Sequence, residues 1–329
     1  MHHSIETLRY FFLFISLFFW GGCGVTKDEK TAEVVLSANI LLTQGKCQEA
    51  IEVLEGHGRV NEDAKYLMTL ASAYACLNGY RETSFFANDL SKTNTPTPFG
   101  GAGTYQNAGN MTSATDSDFY YMQKAIDILI YAGGLEADVN PTADLRALKF
   151  IDSDARDINS QLLYMVLEQL GRFYRYYGNS SSTGVKGSGT GANTCFVSYE
   201  NVSLDVGTNL TTYLALGTTG ACTAIATGHG SFGVANNYVT SRLCQGVVLM
   251  NTLLDLLPKV LSSSTSTDLS AVSGLQTNIN LLKTALATAK VGTTNVKSVT
   301  SQTLCVSQNS SNDDFIQAYY AFIFEPLFL

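Results

Sequence analysis

Tyr66-Leu67-Met68-Thr69-Leu70-Ala71-Ser72-Ala73-Tyr74-Ala75-Cys76-Leu77-Asn78-Gly79 decides the fold class of this chain. Tyr66, Leu67, Leu70, Ala71, Tyr74 and Ala75 recur at the spacing of one helix face, and Asn78-Gly79 is a helix stop. Toward the N-terminus, Cys47, Ala50, Ile51, Val53 and Leu54 form another apolar stripe, ended by Gly58, with a turn over Val60 to Asp63. Before that, Val34, Val35, Ala38, Leu41 and Leu42 share a face, and Gly45 breaks the helix. Toward the C-terminus, Phe85, Phe86 and Leu90 mark a fourth helix. One apolar stripe cannot be buried by its own helix, so neighbours must cover it. Residues 32–91 are therefore expected as two antiparallel helical hairpins in tandem.

Helical patterns continue beyond a break. Residues 91–117 are rich in Ser, Thr, Asn, Gly and Pro and read as a loop, either an ordered surface excursion or a disordered insertion. Residues 118–177 are helical, with Met122, Ala125, Ile126, Leu129 and Ile130 as one stripe. Gly133-Gly134 stops that helix, and Asn140-Pro141-Thr142 starts the next. Asp152, Asp154 and Asp157 are expected at a helix break, with Asp154 or Asp157 as cap. Gln161 to Tyr177 is strongly helical, and its Arg172 and Arg175 suit a helix C-terminus. Residues 178–235 form a Gly-rich insertion. Residues 236–329 return to helices, one from Val234 to Leu257 that Pro258 ends or kinks, one over 269–290 and one over 315–324. The expected fold is all-α, one helical domain over 32–329 with long irregular insertions.

The 329-residue chain carries a net charge of −8 and only 15% charged residues. That balance argues against a nucleic-acid partner, which requires a basic stripe. Near the start, Arg9 precedes the apolar run Tyr10 to Trp20, followed by Gly21-Gly22-Cys23. The run is too short for a bilayer core, which takes about 20 residues, and fits a secretory signal. Small-small-Cys resembles the lipobox of bacterial lipoproteins, although Trp20 stands where that motif has an aliphatic residue. The resemblance implies a signal peptide over 1–22, lipidation of Cys23 and a tether over 23–31. It also implies attachment to the cell outer membrane on the periplasmic side, since Gly24 rather than an acidic residue follows the cysteine.

Residues 32–91 also resemble the tetratricopeptide repeat. Gly45 and Gly79 lie 34 residues apart, the period of that family. Gly45 with Ala50 matches its turn glycine and small second-helix residue, and Leu67, Leu70, Ala71 and Tyr74 match its first-helix pattern. The family implies stacked hairpins with close helix approach at Ala50 and Ala71, and a binding rather than a catalytic role. Stacked turns would share one edge, which makes Cys47 and Cys76 the preferred first disulfide. Six cysteines remain once Cys23 is set aside, an even number for an exported chain. Cys195 with Cys222 would close the Gly-rich insertion, leaving Cys244 with Cys305; buried free thiols are the alternative.

Sites of chemistry are sparse. Gly228-His229-Gly230-Ser231-Phe232-Gly233 spells a dinucleotide fingerprint without the βαβ context that gives it meaning. His57 and His229 are the only histidines after the signal, and neither stands in a catalytic or zinc-binding setting. No catalytic residue, cofactor or metal is expected. The function expected is a membrane-anchored interaction scaffold of the cell envelope, with an envelope protein or a small ligand as partner. The alternative is a ligand-binding accessory lipoprotein of a solute transport system. A closed cavity would favour the second, an open face the first.

Overall fold

Among the described residues, the first helix is capped by Thr26. Its hydroxyl accepts from the Glu29 amide while the Glu29 carboxylate accepts from the Thr26 amide, a reciprocal cap. The computed structural model describes residues 26–93, 99–187, 194–197, 224–225, 232–234, 237–263, 295–310 and 314–328. Cys23, Cys222, Gly228, His229 and the helix expected over 269–290 lie outside them.

Helices α1 (Lys27–Thr43), α2 (Cys47–His57) and α3 (Ala64–Leu77) pack on one another. Gly45 turns α1 into α2 at φ +74°, a conformation that costs glycine little. Contacts set the directions. Thr31 near the start of α1 meets His57 at the end of α2, with Oγ1 and Nε2 3.0 Å apart. The Tyr66 hydroxyl near the start of α3 donates to Leu54 O, toward the end of α2, at 3.0 Å. So α2 runs antiparallel to both neighbours. Ala38, Ala50 and Ala71 are fully buried in this group, as small residues at close helix approaches should be.

The next helix differs from expectation. Residues 82–92 form a broken stretch, with a short α turn (Glu82–Ser84), a π turn (Phe85–Asp89) and a 3-10 turn (Leu90–Lys92). Phe85 packs against Tyr105 and Tyr164, with ring centroids 5.6 and 5.9 Å apart. The long neighbour of α3 is instead α4 (Ser117–Ile130). Asn78, just after α3, donates to Asp118 at the start of α4, so this pair is antiparallel across the intervening chain. The aromatic rings of 85–86 find partners far along the sequence, which a local pattern does not reveal.

Residues 99–105 are a second correction. They are ordered but buried rather than running over the surface. Phe99 and the 3-10 turn Gly100–Thr104 lie buried against α6 (Asp152–Tyr177), the 26-residue helix at the centre of the fold. Small residues on both sides permit this approach. A Cβ on Gly171 of α6 would stand 2.4 Å from the Ala102 carbonyl oxygen.

The short helix α5 (Ala143–Ala147) leads into α6 and is capped by Thr142. At the start of α6 the cap position belongs to Ile151, without a side-chain bond. Asp152 and Asp154 occupy the first turn, where their charge complements the helix dipole. Helix α7 (Thr240–Ser263) packs along α6 and runs through Pro258 rather than ending there. The helix packs against both α6 and α8 (Gln302–Asn309). By length and composition α7 could span a bilayer, but 78% of its most apolar window is buried inside the protein.

The C-terminal helix α9 (Asp314–Tyr319) continues through a π turn (Tyr320–Phe324) into Glu325–Leu327. Its rings close an aromatic core: Tyr174 stacks on Phe328 at 3.9 Å, and Tyr320 on Phe324 at 4.4 Å. Phe196 and Phe232 anchor parts of the Gly-rich insertion in the same core. Nearby, Lys186 and Glu325 form a buried ion pair, and Glu325 also accepts from Phe196 N at 2.7 Å. Among the described residues the strands are two-residue bridges, Thr194–Cys195 with Ala224–Ile225 in parallel and Gly233–Val234 with Asn237–Tyr238 antiparallel. The chain is mostly helical, as its periodicities predict.

Candidate functional site

The turn that ends α1 stands opposite the loop that follows α3. Between them opens a cleft of about 400 Å³, lined by Leu42, Thr43, Gln44 and Gly45 on one side and Tyr80 to Thr83 on the other. Ser72 and Cys76 of α3 and Gln161 of α6 complete its lining. Cys76 is there because it is bonded to Cys47, with Cα atoms 5.6 Å apart. The cross-link joins the first residue of α2 to the end of α3 and holds that edge of the cleft.

Gln161 is 7% exposed. Its Nε2 donates to Met68 O at 3.2 Å and to Ser72 Oγ at 2.7 Å, tying α6 to α3. One helical turn away from it, Tyr164 receives the ring of Phe86 edge-on at 4.6 Å, and Phe86 itself is exposed.

Further along α6, the same helix carries polar groups into the interior. Glu168 and Arg172 are both buried, 3.8 Å apart. Arg172, expected from sequence near a helix C-terminus, is buried and donates to Asn78 O at 3.1 Å. Burial raises the Glu168 carboxyl to about 7 against the pull of Arg172, and nearby Asp89 adds to the rise. Burial lowers Arg172, against the pull of Glu168. Sequence reasoning did not single out Glu168 or Gln161. Their spacing at i and i+7 along a helix is a usable signal, but it does not tell a buried polar row from a solvated one.

A second cleft, of about 460 Å³, lies where the start of α1 faces the α2–α3 loop and Asp154. Its acids Asp28, Glu62, Asp63 and Asp154 are interleaved with Lys27 and Lys65. Asp63 is committed to capping α3 through Tyr66 N at 2.9 Å. No group of three or more His, Cys, Asp or Glu suited to a metal ion occurs among the described residues. His57 is held by Thr31 in a structural contact.

The second disulfide joins Cys244 of α7 to Cys305 of α8, with Cα atoms 5.8 Å apart and both residues fully buried. Cys195 is also disulfide-bonded. Comparison with protein families, characterised proteins and solved structures finds no match for this chain. This is a helix-dominated, disulfide-linked protein with an open cleft between the turn that joins α1 to α2 and the loop that follows α3.

Proposed function

We propose that this protein is a lipid-anchored scaffold of the bacterial cell envelope, held at Cys23 on the periplasmic side of the outer membrane, that binds a partner protein and performs no chemistry on it. The open cleft carries this reading. It lies at the edge where α1, α2 and α3 stack, a stack we read as one tetratricopeptide-like hairpin followed by the first helix of a second. Two cysteine pairs at bonding distance suit an oxidising compartment outside the cytoplasm. The lipobox-like Gly21-Gly22-Cys23 supplies the anchor.

Crosslinking in intact envelopes followed by affinity capture tests the scaffold. One specific envelope protein should be recovered with the wild-type chain; recovery of none above background overturns it. Cys23→Ser should abolish incorporation of labelled fatty acid and release the chain from membranes. Full membrane retention without label would instead show an uncleaved anchor.

A further inference from the structure

Several helices share the pole of the stack at which α1 begins. Thr31, one turn into α1, meets His57 at the end of α2. Asp154, in the first turn of α6, lines one cleft with Lys27 and Asp28 of α1 and with Asp63 and Lys65 at the start of α3. Gly133 N, just after α4, donates to Asn61 O in the α2–α3 loop at 3.0 Å. The starts of α1, α3 and α6 and the end of α4 therefore lie together. The cleft of about 400 Å³ is at the other end of α1, a helix of 17 residues that spans about 25 Å.

Two large apolar side chains stand in solvent at this pole. Leu148 is 80% exposed and Ile151 is 69% exposed, three positions apart on the turn that joins α5 to α6. The turn itself is packed, because a Cβ on Gly133 would stand 2.5 Å from Lys149 Cβ and 3.2 Å from the Phe150 ring. Lys149 N also donates to Arg146 O at 2.9 Å. A fixed turn thus presents both residues to solvent. Ile151 occupies the N-cap of α6, where Ser or Asp would bond the first turn and Ile does not. It neither caps nor packs. In the adjoining cleft Asp28, Glu62, Asp63 and Asp154 outnumber Lys27 and Lys65. That balance opposes an anionic surface, and it opposes a second copy that would bring the same acids together.

In the sequence only Gly24 and Val25 separate Cys23 from Thr26, and three peptide units reach at most about 11 Å. A lipid on Cys23 brings this pole to the bilayer. One acyl chain attaches a protein only marginally, and a second apolar contact strengthens the attachment. We propose that this pole rests on the membrane, with Leu148 and Ile151 inserted among zwitterionic lipids beside the Cys23 lipid, so that the cleft at the opposite pole faces away from the bilayer. This rests on the lipid-anchor reading and gives the scaffold its orientation.

Trp20 is the only tryptophan of the chain and falls in the expected signal, so a tryptophan placed elsewhere has no other background after cleavage. Leu148→Trp, Ile151→Trp and Tyr120→Trp are each produced from the full chain in cells fed labelled fatty acid. Each is reconstituted in phosphatidylcholine vesicles containing brominated lipid, with the parent chain as blank. Tyr120 is the control: it is 65% exposed and lies two residues after Asp118, which Asn78 meets beyond the end of α3, at the opposite pole. All three positions are solvent-exposed, so the substitutions should leave the circular dichroism unchanged. Emission from positions 148 and 151 should shift to shorter wavelength and be quenched, and emission from 120 should do neither. No quenching at 148 and 151, or equal quenching at all three, overturns the proposal. Quenching that requires added phosphatidylglycerol overturns it too, because charge rather than apolar contact would then hold the turn. A shift without vesicles that grows with protein concentration would assign the turn to a second copy and also overturn it. The fatty-acid label separates the two readings. Label on Cys23 without quenching fails the membrane contact and leaves the anchor; quenching at 148 and 151 in a chain without label fails the anchor and leaves the contact.

Discussion

Gly171→Ala should destabilise this protein although it places a better helix former in the middle of α6. In an unpacked helix the change would gain about 1 kcal/mol. Here the new Cβ would stand 2.4 Å from the Ala102 carbonyl oxygen and 3.1 Å from both the Ala102 carbonyl carbon and the Tyr105 ring. An ordinary carbon–oxygen contact needs about 1 Å more. The opposing atom is backbone, so no rotamer change relieves the clash. The turn Gly100–Thr104 must move, and it is held by Phe99 N donating to Leu327 O at 3.3 Å and by burial on both flanks. Overpacking of this kind costs about 3 kcal/mol at the upper end of its usual range, for a net loss of about 2 kcal/mol. Gly56→Ala is the matched control, because nothing lies within 4 Å of a Cβ there. It should gain about 0.5–1 kcal/mol from backbone entropy alone. Urea unfolding followed by far-ultraviolet circular dichroism, with disulfides intact and midpoints compared at equal slope, measures both. A Gly171→Ala midpoint at or above wild type would refute the idea that the 99–105 segment is packed into the core.

Other outcomes follow from the same contacts. The Cys47–Cys76 bridge spans 29 residues of sequence, so Cys47→Ala with Cys76→Ala should cost about 3–4 kcal/mol on the chain-entropy model. Mild reductant followed by alkylation and peptide mapping should open this half-buried bridge before Cys244–Cys305, whose residues are fully buried; the reverse order would count against the burial described. Glu168 titrates near 7 when folded against an ordinary value of 4.5, so the folded state keeps a proton that the unfolded chain releases. Its contribution to stability is therefore full below about pH 4.5 and falls as pH rises toward 7, by up to about 1.4 kcal/mol per unit. Glu168→Gln should flatten that slope in midpoint-versus-pH profiles, and comparison of the two proteins cancels other groups such as Asp127, raised to about 6 by burial. Parallel profiles would show that Glu168 does not titrate in this window. Ala71→Leu should overpack the α2–α3 interface and cost about 1–3 kcal/mol, and an unchanged thermal melt would argue against close packing there.

The cleft was partly legible in the sequence. Gly45 and Cys76 were marked, one as a turn and the other as a bridge candidate. Gln161 and Tyr80 were not marked as site residues, because nothing local shows that a polar side chain will be buried facing another helix. Arg172 shows the same limit. Its place near a helix C-terminus was legible, but its burial beside Glu168 was decided by the packing of α6 against the residues after α3.

Periodicity alone determined the helical class and the first three helices, which depend on residues close in sequence. The Cys47–Cys76 pair was what the tetratricopeptide resemblance implied, and Cys244–Cys305 was the pair left over; the structure bonds both. Tertiary structure decided the rest. It set α4 rather than residues 82–92 beside α3, drew the Gly-rich stretch 99–104 onto Gly171, and carried α7 through Pro258. In each case the winning contact joins segments tens of residues apart. Burying an aromatic ring or a flat glycine surface against a distant partner outweighs the local preference of the chain, and no pattern within either segment names the partner.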